Sequence, residues 1–296
     1  MTGIIPLKKG ENITSFFAVN KVRRLVGEKK AGHTGTLDPN ATGVLPIAMG
    51  GATRFIELLP THKKAYKSTF KTGFRTDTLD IWGTVTETFD KKASFDEVLK
   101  AVEGFKGEIM QLPPMYSALK KDGVRLYELA RQGKEVERTP RKCEIYQLKA
   151  ERINDEEYSL YCECSAGTYI RTLCADIGAA LGCGGVMSAL MRTECAGFSL
   201  EDAHTLEQIE ALSEEEREKV ILPVEVVFEK YKKITLPPFF TRLARCGVEI
   251  YLKKINVNAK VGERFTLYDE SGFYALGEVR EFEDGPAIKP IKQFDV

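Results

Sequence analysis

Between Ala31 and Gly50 the chain is punctuated by Gly32, Gly35, Pro39, Gly43, Pro46 and Gly50. That density forbids a long helix or strand and predicts an irregular loop of about twenty residues, a length that usually carries function. The rest of the fold has to hold this loop between regular elements. Upstream, Thr14 or Ser15 can cap a helix over about 16–27, where Phe16, Val19, Val22, Leu25 and Val26 follow a helical period. Downstream, a short helix is predicted at 51–59, and the alternating runs 65–75 and 82–89 predict strands.

Ser94-x-x-Glu97 reads as a capping box for a helix ending near Glu103, and Val124–Gln132 as a helix stopped by Gly133. Residues 141–152 and 158–164 predict two antiparallel strands, after which a helix runs from about Thr168 to Leu181, closed by Gly182. Thr205-x-x-Gln208 and Ser213-x-x-Glu216 open two short acidic helices. Strands and helices are grouped irregularly rather than as repeated βαβ units, which predicts an α+β fold. After about residue 230 the texture changes. Pro237-Pro238 marks a joint, followed by short alternating runs at 249–253, 264–268 and 274–280, with a turn at Asp269–Gly272. The predicted organisation is a main domain over 1–230 and a small β domain over 231–296.

The 43 basic and 43 acidic residues cancel, yet they are not mixed. Residues 1–30 hold Lys8, Lys9, Lys21, Arg23, Arg24, Lys29 and Lys30 against Glu11 and Glu28. Residues 62–75 hold Lys63, Lys64, Lys67, Lys71 and Arg75 with no acid, and 201–218 are strongly acidic. Opposed patches of this kind can present one basic face to phosphates despite a neutral total. No apolar run approaches the ~20 residues of a membrane span, and residues 1–9 have no signal-peptide core, so a cytosolic location is expected. The seven cysteines are odd in number and lack a CxxC pair, which predicts reduced, mostly buried thiols, with Cys162 and Cys164 on one face of a strand.

Two strings concentrate chemistry. In Ala31-Gly32-His33-Thr34-Gly35-Thr36-Leu37-Asp38-Pro39, a carboxylate lies five residues after a histidine, with glycines that let a ligand approach the main chain. From spacing alone Asp38 reads as a nucleophile, a general base or an Asp-Pro turn former, and His33 as functional or structural. In Ser165-Ala166-Gly167-Thr168-Tyr169-Ile170-Arg171-Thr172, an arginine falls in the first turn of a helix. A cation is disfavoured beside the positive helix N-terminus, so either Arg171 turns to solvent or an anionic partner holds it; Asp38 would serve. No GxGxxG follows a strand and no P-loop occurs, and His62 and His204 stand apart from acids that would make a Ser/His/Asp set.

Four strings together resemble the bacterial tRNA pseudouridine-55 synthase family, TruB: GHTGTLDPNATGVLPI at 32–47, KKAYKSTFKTGFRTDTLD at 63–80, QLPPMYSALKKDGVRLYELARQGKEVERTPR at 111–141 and CSAGTYIRTLCADIG at 164–178. The resemblance implies the pseudouridine synthase fold, a mixed, mainly antiparallel sheet with flanking helices, and a C-terminal domain like PUA. It also implies isomerisation of uridine 55 in the tRNA T-arm, a reaction that gains and loses no atoms and so needs no cofactor or metal; a monomer is the default expectation. Asp38 matches the family's essential aspartate, and Tyr66 the tyrosine that stacks on the target uracil and is proposed to move a proton. Arg171 matches the arginine paired with the aspartate, and His33 the histidine that fills the space left by the flipped nucleotide. Tyr169 and Leu190 match residues lining the uracil pocket, while Lys9 and Lys64 belong to the basic segments expected to meet RNA phosphates.

This chain departs from the family pattern at Gly10, Asn12, Ala166, Met191 and Trp82. Asn12 stands at a turn position usually held by glycine, and Asn tolerates the left-handed conformation. Two rival readings accompany the resemblance: a non-catalytic RNA chaperone, and a hydrolase using Asp38 with His33.

Overall fold

The alternating runs at 141–165 pair as predicted, and the rest of the main sheet is built outward from them. The structure, a computed structural model, describes residues 2–59 and 63–293. In chain order the first elements are β1 (Gly3–Lys9), α1 (Ser15–Leu25), β2 (Ala31–His33) and β3 (Thr42–Met49), followed by a 3-10 helix over Gly50–Leu58. Next come β4 (Lys63–Thr72), β5 (Phe74–Thr76), β6 (Val85–Thr88), α2 (Phe95–Gly104), β7 (Gly107–Gln111), β8 (Lys120–Lys121), β9 (Val124–Arg125) and α3 (Leu126–Arg131). The main body closes with β10 (Arg141–Arg152), β11 (Glu157–Ser165), α4 (Ile170–Leu181), β12 (Gly185–Cys195), β13 (Phe198–Ser199), α5 (Leu206–Ala211), α6 (Glu214–Lys219) and a 3-10 helix over Val224–Phe228. The C-terminal part holds β14 (Lys232–Thr235), α7 (Pro238–Arg245), β15 (Ile250–Tyr251), α8 (Leu252–Ile255), β16 (Arg264–Asp269), β17 (Gly272–Phe282) and β18 (Gly285–Gln293).

The main sheet runs β1-β3-β12-β4-β11-β10-β7, with β2 beside β3 and β13 beside β12. Its pairings are antiparallel except β3 with β12, so the sheet is mixed and mainly antiparallel, as the α+β reading predicts. Helices α2 and α4 bury one apolar cluster, including Phe70, Tyr158, Leu173 and Ile177, against β4, β10 and β11. Helices α1 and α5 bury another against β1 and β3. The second sheet, β14-β16-β17-β18-β15, has its own core around Phe265, Leu267 and Tyr274. It docks on the main body where Phe273, Leu276 and Ile291 pack with Phe55 and Phe228. No helix among the described residues is long and apolar enough to cross a membrane.

All three capping boxes form, at Ser94/Glu97, Thr205/Gln208 and Ser213/Glu216, and α4 ends at Gly182 in the left-handed conformation. Six cysteines are buried and Cys246 is exposed, with Cys162 and Cys164 both inward on β11.

Several expectations fail. Residues 31–50 are not one long loop: β2 and β3 flank a short turn over 34–41. The punctuation answers tertiary demands instead. Gly43, at φ 105°, lies where a Cβ would meet the Arg192 carbonyl oxygen at 2.1 Å, so β3 can approach β12 only as glycine there. Pro46 stands opposite Pro6 in the β1–β3 ladder, and its carbonyl accepts from Thr34 N–H. Val124 and Arg125 pair with Lys120 and Lys121 rather than opening α3. Pro237-Pro238 is the start of α7, with proline at the first turn where its missing N–H costs nothing. The run 249–253 turns into α8 after two residues of strand.

Candidate active site

Strands β12 and β4 are neighbours in the sheet, and with the turn between β2 and β3, residues 117–119 and the N-terminus of α4 they surround a cavity of about 290 Å³. Asp38 enters it from the turn after β2, Tyr66 and Lys64 from β4, Leu190 from β12, and Tyr169 and Arg171 from the start of α4.

Arg171 is the second residue of α4, next to unpaired N–H groups that repel a cation. Carboxylates compensate. Its Nε lies 3.0 Å from Asp38 Oδ2 in an ion pair and its Nη2 donates to Asp38 Oδ1 at 3.3 Å, a two-pronged pair. The remaining donors reach the Thr78 carbonyl at 3.0 Å and the Tyr116 carbonyl at 2.7 Å, while Asp80 Oδ2 lies 3.7 Å from Nη1. The Arg171 side chain is only 6% exposed, whereas that of Asp38 is 39% exposed. The guanidinium is therefore walled in, and the carboxylate it orients opens onto the cavity. The surface-arginine alternative does not hold.

Tyr66 is buried, and burial pushes its phenol well above the ordinary tyrosine range; the Arg192 charge and hydrogen bond only partly oppose this. Arg192 is itself fully buried, donating from Nε to the Val44 carbonyl at 2.8 Å and from Nη2 to the Gly35 carbonyl at 3.1 Å. Lys64 lines the cavity with its ammonium held below the usual lysine range, chiefly by burial. Leu190 and Tyr169 also line it.

Two residues fall elsewhere. His33 does not line the Asp38 cavity. Its Nδ1 accepts from Gly35 N–H at 3.2 Å, and it lines a neighbouring cavity of about 530 Å³ between α1 and β2, beside Phe16, Arg23, Lys29 and Lys30. Burial, then Arg192 and Lys64, hold the imidazole below its ordinary value. An Asp38–His33 hydrolytic pair is thus not what the geometry provides. Lys9 is fully buried, so the expectation that it meets phosphates is corrected. Its ammonium donates to the carbonyls of Gly10, Ile13 and Pro39 at 2.8, 2.7 and 2.9 Å. It pins the turn at Asn12, which takes a φ of 60°, to the Asp38 loop.

The stretch around Lys63–Lys71 is basic in sequence but less so in space. The register of β11 brings Glu163 to Lys63 and Glu157 to Lys71. Trp82 is half exposed in the turn after Asp80, and His62 lies outside the described residues. Sequence reasoning gave no role to Asp80, although the string Thr76-Asp77-Thr78-Leu79-Asp80 contains it. Its carboxyl is pushed up by burial, against Thr78, Arg171 and the Trp82 N–H.

Chains of this fold occur in the structure of an H/ACA RNP bound to a substrate RNA containing 2'-deoxyuridine, with TM-score 0.73, 24% identity, and coverage of 99% of this chain and 85% of that one. The crystal structure of a Cbf5-Nop10-Gar1 complex matches with TM-score 0.71 at 25% identity, over 99% of this chain and 85% of that one. The fold is that of the pseudouridine synthases. Residues 23–170 match the family described as "TruB family pseudouridylate synthase (N terminal domain)", and 171–229 the "tRNA pseudouridylate synthase B C-terminal domain". The "tRNA pseudouridine synthase B" of Clostridium tetani is 43% identical over 94% of this chain and 96% of its own length. That of Alkaliphilus oremlandii is 42% identical over 95% of this chain and 94% of its own. The chain belongs to the TruB family of pseudouridylate synthases.

Proposed function

We propose that this protein isomerises uridine to pseudouridine in tRNA, at position 55 of the T-loop, with Asp38, Tyr66 and Arg171 as its catalytic residues. The observation that carries the reading is the Asp38 carboxylate, held two-pronged by Arg171 at the edge of a cavity containing Tyr66. The reaction breaks the C1′–N1 glycosidic bond and joins C1′ to C5. The C5 hydrogen leaves as a proton and N1 gains one, so the atoms balance without any cofactor.

A base inside folded RNA must first be everted, which costs a few kcal/mol, and stacking on an aromatic such as Tyr66 returns ~1–3 kcal/mol of it. The freed uracil must then be kept from water while it turns. Burial of the cavity's Leu37 and Ile170 suits that task. Asp38 is the one carboxylate among the described lining residues, and it acts by adding to sugar or base or by taking part in proton transfer. Tyr66, held as a neutral phenol by burial, is a hydrogen-bond donor at neutral pH.

RNA approaches over Lys64 and the neighbouring cavity, where Phe16 is exposed and His33, Arg23, Lys29 and Lys30 lie close together. Residues 232–293 act as an accessory RNA-binding module like PUA, attached to a catalytic part ending near residue 230. The protein works as a cytosolic monomer without a metal. A non-catalytic chaperone would have no use for a carboxylate held toward the cavity by a buried arginine.

The test is Asp38→Asn in full-length protein with a T-arm RNA carrying tritium at uridine C5. Tritium release should stop while RNA binding persists, because one charge changes and the basic surface does not. Normal release by the variant would overturn the role of Asp38.

A further inference from the structure

Two buried side chains use the same device on the two members of the catalytic pair. Ser15, 2% exposed at the start of α1, donates its hydroxyl to the Leu37 carbonyl at 2.9 Å and accepts from Leu37 N–H at 2.9 Å. Leu37 directly precedes Asp38. Gln111, 1% exposed at the end of β7, accepts from Tyr169 N–H at 2.9 Å through Oε1 and donates from Nε2 to the Tyr169 carbonyl at 3.2 Å. Tyr169 caps α4 two residues before Arg171, and its carbonyl also accepts the first helical hydrogen bond, from Leu173 N–H at 3.0 Å.

In each case one side chain satisfies both backbone groups of a cavity-lining residue and fixes its peptide planes in two directions. Neither Ser15 nor Gln111 lines the cavity. Either backbone could have been satisfied by water had the site been open. Buried side chains committed instead remove that freedom, at the expense of an unmet donor and acceptor if the clamp is lost.

Resting on the isomerase reading, we propose that Ser15 and Gln111 are positioning residues of the reaction. Ser15 sets Asp38 through Leu37, and Gln111 sets Arg171 through Tyr169, so that the two-pronged pair forms in register before RNA arrives. Positioning of this kind acts on the chemical step, where a misplacement near 1 Å costs ~10²-fold in rate. It leaves the RNA-binding surface untouched.

The experiment compares full-length wild type with Ser15→Ala, Gln111→Leu and Ser94→Ala, the last removing the cap of α2 on the same core but away from the cavity. Single-turnover tritium release at saturating T-arm RNA, RNA affinity and melting temperature are measured for each, with assays run well below every melting point. Ser15→Ala and Gln111→Leu should each slow release by about 10–100-fold at unchanged affinity. Ser94→Ala should lower the melting temperature and leave the rate alone. If the rates of the first two fall no further than that of Ser94→Ala, the positioning role is overturned. Should one variant lose its fold, the other carries the test, since the clamps sit on separate elements. A wild type that releases no tritium would instead overturn the isomerase reading on which the proposal rests.

Discussion

Replacing Arg171 with lysine keeps the charge and removes the fork, and so separates two explanations of the site. If Arg171 serves only as a positive charge near Asp38, Arg171→Lys should work. The structure argues otherwise. The guanidinium meets oxygens in three directions: both Asp38 oxygens through Nε and Nη2, the Thr78 carbonyl through Nη1 and the Tyr116 carbonyl through Nη2. An ammonium offers its three donors from a single point and cannot reproduce a planar fork. At least one carbonyl and one prong of the carboxylate lose their partner. At ~1–3 kcal/mol for each acceptor stranded, the expected loss of stability is about 2–4 kcal/mol. For a body of this size that lowers the melting temperature by roughly 5–15 °C.

The kinetic effect should be larger than the structural one, since Asp38 is freed to turn toward solvent. Misalignment predicts a fall of about 10²–10³-fold in single-turnover tritium release at saturating RNA, measured below the variant's melting point. RNA affinity should change little, because Arg171 is walled off from the surface. Asp80→Asn is the internal comparison: Asp80 stands 3.7 Å from Nη1, so its loss should be milder than that of the fork. An Arg171→Lys enzyme of near wild-type rate and melting temperature would refute the geometric argument and leave charge alone as the explanation.

Three further outcomes follow from single contacts. Tyr66→Phe should reduce turnover more than RNA affinity if the buried phenol donates a hydrogen bond during the reaction; equal turnover would leave it a stacking role only. Asp176 has no hydrogen bond or ion pair among the described residues, and burial alone pushes its carboxyl up to about 6. The folded protein therefore holds that proton more tightly than the unfolded chain, so its burial penalty is absent near pH 4, sets in between about pH 4 and 6, and is complete at pH 7. Discounted for partial exposure, Asp176→Asn should stabilise by ~1–2 kcal/mol at pH 7 and not at pH 4, read as a pH-dependent melting difference. Phe273 packs 6.5 Å from the Phe55 ring and 6.3 Å from that of Phe228, so Phe273→Ala should destabilise the full chain by ~1.5–3 kcal/mol, and unchanged melting would show that the second sheet docks by other contacts.

Legibility in the sequence tracks the distance over which each feature is enforced. The three capping boxes and the Gly182 stop are decided within four residues and are legible in the sequence. Strand β12 carries no clear local strand signal, although it is central. Two bulges, between Met187 and Ala189 and between Arg192 and Glu194, break its alternation, and it is rich in helix-forming Met, Ala and Leu. The span 31–50 reads locally as a loop for a related reason: Gly43 answers to the Arg192 backbone, a partner 149 positions away in the chain that no local pattern announces.

The site divides the same way. Arg171 stands out in the sequence because a cation at a helix N-terminus requires an anion, which is a local rule with a long-range answer, and Asp38 supplies it across 133 residues. Lys9 carried the opposite lesson. A charge in a basic stretch points toward phosphates only if it points outward, and three carbonyls turn this one inward. Asp80, Ser15 and Gln111 bear no mark in their own neighbourhoods, because each acts on atoms that the topology delivers. Adjacency of β12 and β4 brings Leu190 and Tyr66 to one cavity, the turn leading into β3 adds Leu37, and only then does a serine at a helix start become a clamp on a catalytic loop. The chemistry of such a site is therefore written in residue types, whereas its precision is written in strand order.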